Sequence, residues 1–366
     1  MNVSDKILRK DEKAVFNLRE LYELHGYKRF RMSKFEEYDL YVENKNFLIS
    51  DSILSFHDLN GKLMALKPDV TLSIVKNIKD DSVGAQKLYY NENVYRTTPG
   101  AHEFKEIMQV GLEYIGYIDT YSMCEVISLA SKSLEKISQK YILDISHMGF
   151  VAGLLSEIDF PYGAKEEMLS YIGQKNPHEI RRLCESIGVG LELSDTIVKM
   201  SSLYGSFEET VGQAKALVLN DEMRSAVSEL EAIYDILKNT ADTNRFRLDF
   251  SIVNDMNYYN GVIFQGFIEG IPASVLSGGR YDNLLHKLGK NKDAVGFAVY
   301  LDLLERYDTP TKEFDVDVLY VYGNTSLQSV FSAVDKYTSE GKRVHAQKDD
   351  KTDIKYREIV YASERE

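Results

Sequence analysis

Segments suited to β-strands occur in this chain as hairpin-type pairs interrupted by helices. They do not follow the regular strand–helix alternation of a parallel sheet, and that points to the α+β class. Residues 53 to 66 show it most plainly. Two β-prone runs, Leu54–Phe56 and Leu63–Leu66, flank Asn60-Gly61, a pair suited to a tight turn with positive φ. Lys87 to Tyr95 and Ile107 to Ile115 read as a second pair, joined by a loop containing Pro99-Gly100. Before them, Ala14, Val15, Leu18, Leu21, Tyr22 and His25 have helical spacing that stops at Gly26, and Tyr27 to Phe35 reads as a strand. Val70 to Ile78 reads as a helix.

From Thr120 to about Lys238 the pattern turns mainly helical, with Ser122 to Ile137 and Met223 to Leu237 the clearest amphipathic stretches. A helical insertion is expected at about residues 145 to 220. Strands return at Leu248–Val253, Val262–Ile268 and Ala273–Leu276, and helices follow at Tyr281–Leu288 and Leu301–Tyr307. Thr309-Pro310-Thr311 reads as a linker between a main domain, 1 to 308, and a tail, 313 to 366. The tail opens with the alternation Val316, Val318, Tyr320, Tyr322, continues as a helix from Leu327 to Glu340 and ends as a strand at Arg343–Ala346. That β-α-β unit is too short for a full-sized domain.

Composition narrows the partners. A formal net charge of −13, with no long Lys/Arg cluster, argues against a surface that neutralises nucleic-acid phosphates. No apolar run has the length of a membrane span, and Met1 to Lys13 is polar, so a cytoplasmic protein is expected. Cys124 and Cys184 belong to no CxxC or Cys/His cluster, so neither a disulfide framework nor a metal site is expected. No G-x-x-x-x-G-K-[ST] or G-x-G-x-x-G phosphate cradle occurs, and no cofactor is expected.

A set of polar and aromatic residues suits a small zwitterionic ligand. Asp69, Gln109 and Glu113 can bind an ammonium and an imidazole N–H, and Arg96 can hold a carboxylate by a bidentate pair. Thr71 offers a hydroxyl, and Tyr259 and Tyr281 offer flat walls with a polar tip. Taken singly, each has a plainer reading. Tyr258-Tyr259 before a strand is ordinary β chemistry, Gly278-Gly279 suits a turn or close backbone approach, and Arg96 and Glu113 could pair across a sheet.

Four segments, taken together, resemble the histidyl-tRNA synthetase family, a branch of the class II aminoacyl-tRNA synthetases. They are Leu66-Lys67-Pro68-Asp69-Val70-Thr71; Val94-Tyr95-Arg96 with Gln109-Val110-Gly111-Leu112-Glu113; Tyr258-Tyr259-Asn260-Gly261 with Val262-Ile263-Phe264; and Ser277-Gly278-Gly279-Arg280-Tyr281-Asp282 with Ala294-Val295-Gly296-Phe297-Ala298. Their order and spacing extend over roughly residues 5 to 305. The resemblance implies an antiparallel class II sheet with flanking helices, a helical insertion and a tail like the opening of an anticodon-binding domain. It implies histidine-binding positions at Asp69 (where the family has Glu), Thr71, Arg96, Gln109, Glu113, Tyr259 and Tyr281.

The departures fall on the ATP side. The family's Arg-Gly-Leu-Asp stretch is Asn254-Asp255-Met256-Asn257, so its arginine is replaced by Asn254. The second class II motif has Thr98 for its glutamate and, within an alignment gap of one, Glu103 for its basic loop residue. The third has Leu303 for its arginine and Tyr300 at its small position, and the first-motif proline is Ser33. Adenylate formation needs positive charge on the transferring phosphates, and these replacements remove it. The pattern is similar to the synthetase-like regulatory subunits of ATP phosphoribosyltransferase. That resemblance implies a non-catalytic subunit, a homodimer within a larger hetero-oligomer with a short-form catalytic subunit. It implies histidine as effector and no tRNA. A divergent amino-acid-activating enzyme and a free histidine-sensing module are the competing readings.

Overall fold

The computed structural model describes residues 8–44, 48, 53–78, 84–97, 103–239, 242–253, 258–307 and 313–362. The expected Pro99-Gly100 loop and the Thr309-Pro310-Thr311 linker, like Thr98 and Asn254, lie outside them. The chain divides into two compact units, Met1–Tyr307 and Asp308–Glu366.

The first unit opens with α1 (Lys10–Leu24), which ends where Gly26 takes φ 82°, the left-handed conformation a helix stop needs. The expected strand over 27–35 is instead β1 (Lys28–Arg29) and, separately, β2 (Phe35–Glu37), which pairs in another sheet. The short helix α2 (Tyr38–Val42) follows, then β3 (Ser55–His57) and β4 (Leu63–Leu66). These two strands form the hairpin expected around Asn60-Gly61, with Gly61 alone taking positive φ (79°) in a loop closed by Asp58. Next come α3 (Thr71–Asn77), β5 (Gln86–Thr97), β6 (Phe104–Gly116) and α4 (Thr120–Ile137), whose first turn is capped reciprocally by Asp119 and Ser122.

The mainly helical reading of 120–238 missed two strands. β7 (Tyr141–His147) lies inside the main sheet, and only after it do α5 (Met148–Leu155), α6 (Ala164–Gly173), α7 (Pro177–Ser186) and α8 (Leu191–Ser201) follow. β8 (Tyr204–Ser206), α9 (Phe207–Lys215) and α10 (Asp221–Leu237) complete that stretch. β9 (Phe246–Asp249) begins earlier than expected and ends where Ser251 folds back on Asp249. β10 (Val262–Ile268) is as expected. β11 (Leu276–Arg280) runs through Gly278-Gly279, so those glycines lie in a strand, not a turn. α11 (Asp282–Lys287), the unforeseen strand β12 (Asp293–Tyr300) and α12 (Leu301–Tyr307) close the unit.

Nine strands form the main sheet in the order β1-β5-β6-β12-β11-β10-β7-β9-β8. All neighbours are antiparallel except β1 with β5 and β7 with β9. Strand alternation sorts the two faces. Val110 and Leu112 on β6 and Val295, Phe297 and Val299 on β12 join the large core with α1, α4, α5 and α10. Gln109, Gly111 and Glu113, with Gly296, Ala298 and Tyr300, are at the alternate positions and face the other way. Cys124 and Cys184 are buried and free. Among the described residues no helix is long and apolar enough to cross a membrane.

The second unit is a three-stranded parallel sheet. β13 (Val316–Val321) lies between β14 (Val344–Gln347) and β15 (Tyr356–Tyr361). α13 (Leu327–Ser339), between β13 and β14 in the chain, covers one face through Val318, Tyr320 and Val330. β15 was not anticipated in the β-α-β reading of this tail.

Candidate functional site

The polar face of the main sheet floors a cavity of about 440 Å³. All seven expected binding residues line it: Asp69, Thr71, Arg96, Gln109, Glu113, Tyr259 and Tyr281. Three sources supply them. The start of α3 gives Asp69 and Thr71, the hairpin β5–β6 gives Arg96, Gln109 and Glu113, and the segments before β10 and after β11 give Tyr259 and Tyr281.

Glu113 anchors the floor. Its carboxylate accepts hydrogen bonds from Thr71 Oγ1 at 2.9 Å and from the Tyr281 hydroxyl at 2.5 Å. Its neighbour across β12 is Gly296, and the absence of a side chain there is required. A Cβ on Gly296 would stand 1.7 Å from Glu113 Oε2. Gly278 in turn allows β11 to approach β12, since a Cβ there would lie 2.3 Å from the Gly296 carbonyl oxygen. Burial pushes the Glu113 carboxyl up to about 8, and the nearby Asp69 pushes the same way, against the two hydroxyl bonds that lower it. Asp69 is raised too, chiefly by burial, although it accepts the Leu72 N–H at 2.8 Å and feels Arg96.

Arg96 is buried, and its guanidinium lies 6.0 Å from the Tyr300 ring centre, so a cation–π contact holds it at the cavity wall. The suggestion that Arg96 pairs with Glu113 across the sheet does not hold. Arg96 is registered opposite Lys105, and Glu113 opposite Leu88. Tyr258 packs on Tyr259 at 4.6 Å and on Tyr281 at 5.7 Å between ring centres, which makes one aromatic wall. Two buried carboxyl groups and one guanidinium, set among tyrosines, suit a ligand carrying both an amine and a carboxylate.

The positions matched to the ATP side divide differently. Tyr300 lines the cavity beside Arg96. Leu303 is on α12, packed against the main hydrophobic core, and does not line the cavity. Glu103 is exposed just before β6. Further lining residues were not named as binding positions from sequence: Tyr258, Ser277 and Phe297, which lie in the family segments, and Tyr90, Gln265 and Ser274, which lie outside them. Gln265 had a detectable signal, because it is the polar residue that breaks the apolar run of β10 on the cavity side. Tyr90 had none, since a tyrosine in a strand is unremarkable until its neighbours are known.

The profile of the family described as Histidyl-tRNA synthetase matches residues 2–304. An ATP phosphoribosyltransferase regulatory subunit from Clostridium acetobutylicum is 29% identical over 338 residues, 89% of this chain and 83% of its own. A protein of the same name from Oceanobacillus iheyensis is 28% identical over 289 residues, 78% of this chain and 71% of its own. The crystal structure of an ATP phosphoribosyltransferase regulatory subunit/histidyl-tRNA synthetase from Bacillus halodurans is similar in fold at TM-score 0.75. It is 23% identical and covers 99% of this chain and 96% of that one. A chain of the ATP phosphoribosyl transferase (HisG:HisZ) complex from Thermotoga maritima follows at TM-score 0.64 and 21% identity, covering 82% and 98%.

Proposed function

This chain belongs to the histidyl-tRNA synthetase family, and within it we propose that it is a regulatory subunit of ATP phosphoribosyltransferase, the enzyme of the first step of histidine biosynthesis. It is a cytoplasmic, non-catalytic chain that assembles as a homodimer within a hetero-oligomer with a short-form catalytic subunit. Histidine is its effector, and tRNA is not a ligand. The tail unit is the counterpart of the opening of an anticodon-binding domain. The names of the relatives support this reading, and so does the division of the site. One observation carries it. All seven expected amino-acid-binding positions converge on one cavity, whereas the residue at the phosphate-binding arginine position, Leu303, is apolar, packs against the hydrophobic core and does not line the cavity.

The chemistry follows from that division. Asp69, Gln109 and Glu113 receive the ammonium and imidazole N–H groups, Arg96 holds the carboxylate, and Tyr259 and Tyr281 flank the ring. Without positive charge over the phosphates the bound amino acid is held but not activated. An effector that binds one state of the assembly more tightly than another shifts the equilibrium between them, which is the thermodynamic content of feedback control. The test pairs two assays on the purified chain. Calorimetry is expected to register histidine binding, and histidine-dependent exchange of pyrophosphate into ATP is expected to be absent. Exchange above a no-enzyme control favours the activating-enzyme reading instead.

A further inference from the structure

The two tyrosines that flank the cavity lie just outside the strands nearest to them. Tyr259 precedes β10, which starts at Val262, and Tyr281 follows β11, which ends at Arg280. Strand pairing does not fix them directly, so bonds beyond the ladder must. Two of these are backbone bonds. The Asn260 N–H donates to the Arg280 carbonyl at 3.1 Å, and the Tyr281 N–H donates to the Ala294 carbonyl at 2.9 Å. The others come from the residue that follows each tyrosine, Asn260 and Asp282.

Asn260 and Asp282 form a reciprocal pair. Asn260 Nδ2 donates to Asp282 Oδ2 at 3.0 Å, and the Asp282 N–H donates to Asn260 Oδ1 at 3.0 Å. The buried Asp282 carboxylate also accepts Arg280 Nε on Oδ2 at 2.7 Å and the Ala294 N–H on Oδ1 at 3.1 Å. Asp282 is the first residue of α11, yet its carboxylate bonds go to Asn260, Arg280 and Ala294 and not to that helix's own amides, so helix capping does not account for it. They join three segments: the one before β10, the junction of β11 with α11, and the start of β12. Every partner of the carboxylate is a donor: an amide NH₂, a guanidinium and a backbone N–H. Asparagine in its place sets one N–H against another whichever way its amide is turned.

The clamp leads to the cavity floor. Ala294 accepts from Tyr281 and donates to Asp282, so the backbone on both sides of the Tyr281 ring is pinned to β12. Two residues further along β12 is Gly296, registered opposite Glu113, and the Tyr281 hydroxyl donates to Glu113 at 2.5 Å. Neither Asn260 nor Asp282 lines the cavity. Resting on the reading of that cavity as an amino-acid site, we propose that Asp282, clasped by Asn260, is a positioning residue. It holds the Tyr281 hydroxyl on Glu113 and so sets how firmly the ligand is held without touching the ligand.

Carbon-13 NMR of the glutamate side chains in the full ligand-free chain, with Glu113 assigned by Glu113→Gln, follows this carboxyl directly, and calorimetry follows histidine. Burial raises the carboxyl to about 8, and the Tyr281 and Thr71 hydroxyl bonds lower it. Asp282→Asn is therefore expected to move the Glu113 midpoint upward, as Tyr281→Phe does, and to weaken histidine binding by about ten-fold. In the Tyr281→Phe background Asp282→Asn is expected to add little to either readout, since the two residues act as one unit. A carboxylate that only stabilises the fold would lower stability and leave the midpoint in place. An unchanged midpoint in Asp282→Asn, or effects of the two substitutions that simply add, overturns the proposal. If Asp282→Asn does not fold, Asn260→Ala, which leaves the Arg280 and Ala294 bonds, decides by the same two readouts. A wild type that binds no histidine overturns the reading of the cavity instead, and the Glu113 titration then still decides the clamp.

Discussion

Replacing Glu113 by glutamine reports on the cavity in two independent ways. The carboxyl is buried and displaced from 4.5 to about 8, chiefly by burial. A carboxyl raised on folding holds its proton in the folded chain at a pH where the unfolded chain has released it. Ligand-free stability is therefore full below about 4.5, falls as pH rises towards about 8, and is level above that. At ~1.4 kcal/mol per pH unit the limit of that loss is about 5 kcal/mol. Water entering the cavity offsets part of the burial, so a fall of about 2–3 kcal/mol between pH 5 and 8.5 is expected. Glutamine keeps the shape, with one hydroxyl still donating to its carbonyl oxygen and the other reversed to accept from its amide N–H, but it has no proton to lose, so the variant lacks this part of the slope. Titrating groups other than Asp69, which is coupled to Glu113, are common to both proteins and cancel in the difference. The same ionisation is needed to bind an ammonium, so histidine binding near neutral pH should release a proton from the wild type. The glutamine variant should bind about ten-fold or more weakly, with no such release. Urea unfolding across pH 5 to 9 and calorimetry in two buffers of different ionisation enthalpy measure both effects. Parallel stability profiles, or equal affinity for histidine, would show that the Glu113 carboxyl neither titrates on folding nor holds the ligand.

Two further substitutions bear on the same cavity. Arg96→Ala removes the carboxylate grip, a charge-assisted interaction of about 1.5–3 kcal/mol, so calorimetry should show histidine affinity reduced by about ten-fold or more. Unchanged affinity would place the effector elsewhere. Gly296→Ala puts a Cβ 1.7 Å from Glu113 Oε2 and 2.5 Å from the Leu112 carbonyl oxygen. Urea unfolding should register a loss of about 2–3 kcal/mol with histidine binding abolished, and a variant of wild-type stability would show that the β6–β12 contact is looser than described.

What the sequence made legible depended on how local the signal was. Asn60-Gly61 announced its hairpin because the left-handed turn residue lies within the loop itself, and Gly61 does take positive φ. β5 and β6 were read correctly because each is long enough for alternation to emerge. β7 was missed because its alternation, Tyr141, Leu143 and Ile145 against Asp144 and Ser146, is short and is set between the helices α4 and α5, whose periodicity dominates the stretch. Of the two readings of Gly278-Gly279, a turn or a close backbone approach, the second holds: Gly278 is pressed by the β12 backbone at Gly296 and Gly279 by Val262 and Tyr259, partners distant in sequence. The same limit governs the site. Asp69, Arg96, Glu113 and Tyr281 could be named as a set from the family resemblance, but the Thr71–Glu113–Tyr281 hydrogen bonds depend on a register that only the fold reveals.

Reconstitution decides whether this chain regulates a partner's chemistry and performs none of its own. A short-form catalytic subunit of ATP phosphoribosyltransferase is assayed for transfer from phosphoribosyl pyrophosphate onto ATP, alone and with this chain, each with and without histidine. Adding the chain is expected to raise the rate, and histidine is expected to inhibit only when the chain is present. A rate and a histidine response that are the same with and without the chain would contradict the regulatory role.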